Sequence, residues 1–244
     1  MILSFLRRRW LRLVLLVVVI PIVVVLCALS DRKYYLTSTL VVLLTLCAFF
    51  LSFDRRSPPT RELVLLTVLC ALAVAARVVV PLPNLKPTMA LVLLAGIAFG
   101  GESGFLCGSM AALVSNFFFG QGPWTPWQML AYGLGGLLAG LLTRCHLLTD
   151  EPKGLGGRLR LAVTGFFLIL LVVGPVLDTS TWMTIYIHGS LAPATIYLTG
   201  LVTTNLPHAA ATAVSLFLLG PALLRMLRRI QVKYGLGRYA LDPS

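Results

Sequence analysis

Polar residues in this chain are confined to short intervals between long apolar runs. Two runs occupy residues 11–29 (LRLVLLVVVIPIVVVLCAL) and 36–53, and six more lie near 62–81, 87–100, 103–119, 126–143, 160–178 and 193–222. A run of about 20 apolar residues matches the ~30 Å hydrocarbon core of a bilayer when coiled as a helix, so eight transmembrane helices are expected. The run at 87–100 has 14 residues, about 21 Å of helix, shorter than the hydrocarbon core. It is expected to end inside the bundle with its termini covered by protein. Pro207 is expected to kink the last helix. The polar, Pro-containing interval DRRSPPTRE at 54–62 divides the chain into an N-terminal helix pair (1–55), a six-helix membrane domain (56–230) and a basic tail (231–244).

Composition agrees with an all-α polytopic membrane protein: 58% of the 244 residues are hydrophobic and 11% charged, and the mean hydropathy is +0.93. The net charge of +12 raises nucleic acid as a partner. The basic residues, however, cluster beside the apolar runs instead of covering a soluble surface, so topology explains them and no nucleic-acid partner is expected. With a cytoplasmic N-terminus and eight alternating helices, all but Arg32, Lys33, Arg77 and Lys86 fall on one side, which places both termini in the cytoplasm. Arg7, Arg8, Arg9 and Arg12 precede the first run as in a signal peptide. That run is long and Ala28-Leu29-Ser30 is a poor cleavage site, so a retained helix is expected. Cys27, Cys47, Cys70 and Cys107 lie in apolar runs without metal-ligand spacing and read as small buried hydrophobes, and Cys145 beside His146 as structural.

One interval stands out, NFFFGQGPWTPWQM at 116–129. Gly120, Gly122 and Pro123 end one helix, and Thr125, Pro126 and Gln128 match a capping box with Pro at the first helical position of the next. The topology turns this interval outward, together with Pro81–Lys86 (PLPNLK) and Asp178–Pro193 (DTSTWMTIYIHGSLAP). If the three converge they form an outward pocket. Trp124, Trp127, Trp182 and Tyr186 would stack on or cover rings, and Asn84, Asn116, Gln121 and Asn205 would bond polar groups. Lys86 would meet a phosphate or carboxylate. Gln128 is a weaker contact if it serves the cap, and an interfacial aromatic belt is the competing reading of each Trp.

Catalytic chemistry is not legible. No G-x-x-x-x-G-K-[ST] loop occurs, so the chain is not expected to hydrolyse ATP. The eight acids form no pair, with Asp178 the one carboxylate at the end of a span. His146, His188 and His208 are far apart, which gives no metal or acid–base constellation. No cofactor, metal or enzymatic activity is expected. The pairs Gly96-x-x-x-Gly100, Gly104-x-x-x-Gly108 and Gly136-x-x-x-Gly140 read as internal packing faces, whereas the Ala71-x-x-x-Ala75 face is free to dock another subunit.

ALAVAAR at 71–77, PLPNLKP at 81–87 and GFLCGSMAALVSNFFFGQGPWTPWQMLAYGLGGLLAGLL at 104–142 resemble the substrate-binding S component of an energy-coupling factor (ECF) vitamin transporter. The resemblance covers roughly residues 62–230. It implies a six-helix S-component bundle, here preceded by two extra helices, in a prokaryotic plasma membrane. It also implies high-affinity capture of a vitamin or related micronutrient, a transmembrane coupling subunit that docks on Ala71 and Ala75, and two partner ATPases. By the same resemblance the leading ligand is of cobalamin type. A stand-alone secondary transporter or channel, suggested by Thr203, Thr204, Asn205 and His208, is the alternative, and a membrane enzyme ranks last.

Overall fold

The computed structural model describes residues 60–80, 86–186 and 193–236 together with Leu40. The proposed helix pair at 1–55 otherwise lies outside the described residues, as do Asn84 and His188. All regular structure among the described residues is helical: α1 Thr60–Val79, α2 Thr88–Phe99, α3 Gly101–Phe119, α4 Thr125–Arg144, α5 Gly154–Leu168, α6 Gly174–Tyr186, α7 Pro193–Gly200, α8 Leu206–Leu218 and α9 Gly220–Tyr234. A π-helical turn, Ile169–Val173, makes α5 and α6 one continuous rod, and a second, Leu201–Asn205, does the same for α7 and α8.

The six apolar segments expected from residue 62 onward are therefore present, with two corrections. Asp178–Pro193 is not a loop throughout, because α6 runs on to Tyr186. Its polar start stays helical because Thr179 and Thr181 donate their hydroxyls to the carbonyls of Pro175 and Leu177 at 2.7 and 3.3 Å, satisfying them inside the helix. The segment expected at 193–222 ends at Leu218, and a separate amphipathic helix, α9, follows. In α9 Pro221, Leu224, Leu227 and Gln231 are buried, while Arg225, Arg228, Arg229 and Lys233 occupy the intervening positions.

At Pro207, where a kink is expected, the helix carries the second π turn. Pro207 has no N–H and its ring crowds the carbonyl of Thr203, and the wider turn before it, closed by Leu206 N–H to Leu201 O, relieves both. The first π turn stands in the same relation to Pro175.

α2 has 12 residues, 11 of them buried, and forms the centre of the bundle. Its C-terminal end is covered as expected: Gln231 of α9 donates Nε2–H to Ala98 O at 2.9 Å, and Gly100, at φ 94°, turns the chain directly into α3. Glycine faces bring α2, α3 and α4 into backbone contact. A Cβ on Gly96 or Gly104 would run into the Gly136 carbonyl, and one on Gly108 into that of Tyr132, so the Gly pairs are packing faces as read from sequence.

Around this centre the outward faces are apolar. Leu155, Leu159, Val163, Phe167 and Leu171 form an exposed row at four-residue spacing, as do Val64, Val68 and Leu72 on α1 and Leu198, Val202 and Leu206 further on. Such ridges suit lipid. Thr60–Val79, Gly154–Trp182 and Ala194–Leu218 are, among the described residues, long and apolar enough to cross a membrane. The basic residues among those described, Arg77 and Lys86 excepted, collect at one end, where Arg228 pairs with Glu151, Arg61 lies 5.1 Å from the Tyr234 ring and Arg160 donates to His146 O at 3.2 Å.

Candidate functional site

At the opposite end, α1, α3 and α4 bring their polar residues together. Arg77, in the last turn of α1, reaches across to α3 and α4. Its Nη1 donates to Asn116 Oδ1 at 3.0 Å and to Ser115 Oγ, and its Nη2 donates to Gln128 Oε1 at 3.2 Å. Asn116, 1% exposed, donates to Gln128 Oε1 at 2.8 Å and to Thr125 Oγ1 at 3.1 Å. Thr125 in turn donates to Gln121 Oε1 at 2.9 Å and accepts Gly122 N–H at 3.2 Å, and Gln121 Nε2–H closes back on Leu113 O at 3.1 Å. The guanidinium also lies 5.4 Å from both the Phe119 and the Tyr132 ring centroids, within cation–π range.

This arrangement replaces the capping box expected at Thr125 and Gln128. The N-terminus of α4 has no side-chain cap, because backbone carbonyls already hold its first amides: Thr125 N–H bonds Gly122 O at 2.9 Å and Gln128 N–H bonds Trp124 O at 3.0 Å. The freed side chains enter the polar cluster instead. Gln128 is thus a member of the site's framework, and Asn116 and Gln121 have their amide groups engaged within the protein.

The other sequence-predicted residues fall into three situations. Lys86 stands at the entry to α2 with Nζ 4.2 Å from the Phe119 centroid. Burial, then the like charge of Arg77, lower its pKa from the ordinary lysine value. Trp124 is 43% exposed and its ring covers Gly122, where a Cβ would lie 2.6 Å from Cζ2. Trp127 is 1% exposed, part of the core rather than an open platform. Its indole N–H and the Thr88 hydroxyl, both buried, have no hydrogen-bond partner among the described residues, which leaves them able to bond a substrate or water.

Asn205 belongs to a second cluster, where the two rods lie against each other. Asn205, 3% exposed, donates Nδ2–H to Asp178 Oδ2 at 2.6 Å. Gly174 lies against the Asn205 amide, and Gly200 against the Asp178 carboxylate. Thr179 and Tyr197 share a hydroxyl bond of 2.7 Å, and Trp182, half-buried, lies one turn beyond Asp178. Tyr132 joins the clusters through His208, whose ring centroid is 6.2 Å away. Tyr186 ends α6.

Arg77, Ser115 and Tyr132 were not singled out from sequence. Arg77 carried a signal, since it is a charge inside an apolar run, where an ionisable residue is a functional candidate by default. The cluster offers donors, acceptors and aromatic faces but no nucleophile, acid–base pair or group of three metal-ligating side chains among the described residues.

Ala71 and Ala75 are exposed. They line an apolar groove of about 620 Å³ between α1 and α3, with Leu66, Met110, Val114 and Phe118 among its walls.

The family model for the ECF-type riboflavin transporter, S component, matches residues 58–229. Neither curated proteins nor solved structures give a match. A match over most of the chain, on an all-helical membrane bundle with a polar cluster at one end, confirms the resemblance drawn from residues 62–230: the chain belongs to the ECF-type riboflavin transporter S component family.

Proposed function

We propose that this chain captures a flavin-type vitamin at the end of the bundle that carries Arg77, and hands it to an ATP-driven importer made of a transmembrane coupling subunit and two ATPase subunits. The observation that carries the reading is the convergence of Arg77, Asn116, Gln128, Tyr132 and Lys86 at one end of a chain of this family. A flavin presents a flat heterocycle for Phe119, Tyr132, Trp124 or Trp182 and a polar edge and chain for the buried N–H and hydroxyl groups. The description of the matched family favours a flavin over the cobalamin-type ligand suggested by the sequence resemblance, and cobalamin is the principal competitor in the test. The chain acts without catalytic chemistry of its own, in a prokaryotic plasma membrane with its basic end and both termini on the cytoplasmic side. Asn205 and Thr203, which suggested a stand-alone transporter, have their side chains bonded to Asp178 and to Thr199 O.

The experiment is purification of the full chain followed by mass spectrometry of any retained small molecule and titration with a panel including riboflavin and cobalamin. Nanomolar quenching of riboflavin fluorescence is expected. Tighter retention of cobalamin, or no binding across the panel, overturns the flavin assignment, and uptake by the chain alone in proteoliposomes overturns the importer-subunit reading.

The coupling subunit is proposed to dock on Ala71 and Ala75. Their exposure and the small-residue spacing support this, because helix backbones approach closely where side chains are small.

A further inference from the structure

We propose that Arg77 and Lys86 together bind an anionic group, a phosphate or carboxylate, of the molecule held at this end of the bundle. The inference rests on the substrate-binding reading above and names a chemical feature of the ligand. Among the described residues every partner of the Arg77 guanidinium is neutral: Ser115, Asn116, Gln128 and the rings of Phe119 and Tyr132. A charge held in a membrane bundle is ordinarily paired, yet here the nearby ionic neighbour is another cation. Lys86 lies 4.2 Å from the same Phe119 ring that Arg77 approaches at 5.4 Å. The repulsion this implies is registered at Lys86, where the charge of Arg77 and partial burial both disfavour the ammonium form.

Among the described residues the acids do not compensate. Asp178 is bonded to Asn205, while Glu62, Glu102, Asp150 and Glu151 belong to the basic end or the connections there. Three of the five guanidinium donors are committed to the amides and the Ser115 hydroxyl, which fixes its orientation, and the other two have no partner among the described residues. A planar fork with free donors beside a compact ammonium is a recognition pair for a phosphate or carboxylate. That anion has two sources, a soluble substrate or a lipid headgroup at the membrane surface.

The test uses riboflavin and riboflavin 5′-phosphate, which differ in the terminal phosphate alone, titrated by fluorescence quenching against the full chain in phosphatidylcholine nanodiscs. The phosphate ester is expected to bind roughly tenfold more tightly or better, the size of one hydrogen bond to a charged group. Lys86→Gln and Arg77→Lys should move the ratio of the two affinities towards one. In a second arm, native mass spectrometry follows phosphatidylglycerol retained from mixed nanodiscs, and loss of that lipid in Lys86→Gln identifies a headgroup as the anion. If neither flavin binds, the flavin reading fails while the lipid arm still decides the anion site. Equal affinities for the two flavins, or no flavin binding, together with lipid retention that ignores Lys86 and Arg77, overturns the proposal. Lys86→Gln keeps the test usable if Arg77→Lys does not fold.

Discussion

Gly136→Ala adds one methyl group where α4 touches α3, and the structure sets its effect. The new Cβ would collide with the Gly104 carbonyl and lie 2.9 Å from the Gly104 Cα. All of these atoms are backbone, so no rotamer change relieves the overlap. Ordinary contact for a Cβ begins near 3.4 Å, and α3 and α4 must separate by about 1 Å, which forfeits about a quarter to a half of each dispersion contact across the seam. Alanine is the better helix former by about 1 kcal/mol, while overpacking of this kind costs about 3 kcal/mol, at the upper end of its range because the opposing atoms cannot move aside. The net expectation is a loss of about 2 kcal/mol. Unfolding of the purified protein in mixed micelles of rising dodecyl sulfate content measures it. Gly156→Ala is the control: nothing lies within 4 Å of a Cβ there, so the helix preference acts alone and stability should hold or rise by up to about 1 kcal/mol. The seam also sets the 2.8 Å bond between Asn116 of α3 and Gln128 of α4, so Gly136→Ala should lower ligand affinity as well. A Gly136→Ala protein as stable as wild type would refute the claim that backbone contact at this glycine holds the helices in register.

Other perturbations separate framework from site and site from interface. Asn116→Ala removes one acceptor from Arg77 and both donated bonds to Thr125 and Gln128, so a loss of about 2–3 kcal/mol is expected in the same unfolding assay, with affinity falling in parallel. Asn205→Ala withdraws the amide bonded to Asp178 and should cost about 2–4 kcal/mol, whereas Asp178→Asn keeps an acceptor and should cost less than about 1 kcal/mol; the reverse order would refute the pairing. Ala71→Trp and Ala75→Trp should abolish uptake by the assembled importer while leaving ligand titrations unchanged, and normal uptake in both would remove the docking role.

The helices were legible because apolar run length against bilayer thickness is a local property. α2 was recognisable as shorter than the hydrocarbon core, and the Gly-x-x-x-Gly pairs as packing faces, from the sequence alone. The site was read in part. Lys86, Asn116 and Trp124 lie at one end of the bundle, but Trp127 is core, Asn205 serves Asp178, and Gln128 is a framework residue rather than a cap. Polar residues in a spanning helix are ambiguous in sequence because a hydroxyl or amide is satisfied by its own backbone, as Thr179 is, or by another helix, as Asn116 is.

What the sequence determined by itself was the membrane as solvent, the basic end, the apolar segments and, through the wording of residues 71–142, the family. Tertiary structure decided which polar groups meet. Arg77 bonds partners 38, 39 and 51 residues away along the chain, and their meeting depends on how α1, α3 and α4 are rotated about their axes. Glycine contacts set that rotation for α3 and α4, and the π turns before Pro175 and Pro207 lie where the other two rods bring Asp178 and Asn205 together. An apolar run records how long a helix is, but in lipid every face of it is apolar enough to be outside, so the inward face is fixed by close packing and by the pairing of the few groups that lipid cannot solvate.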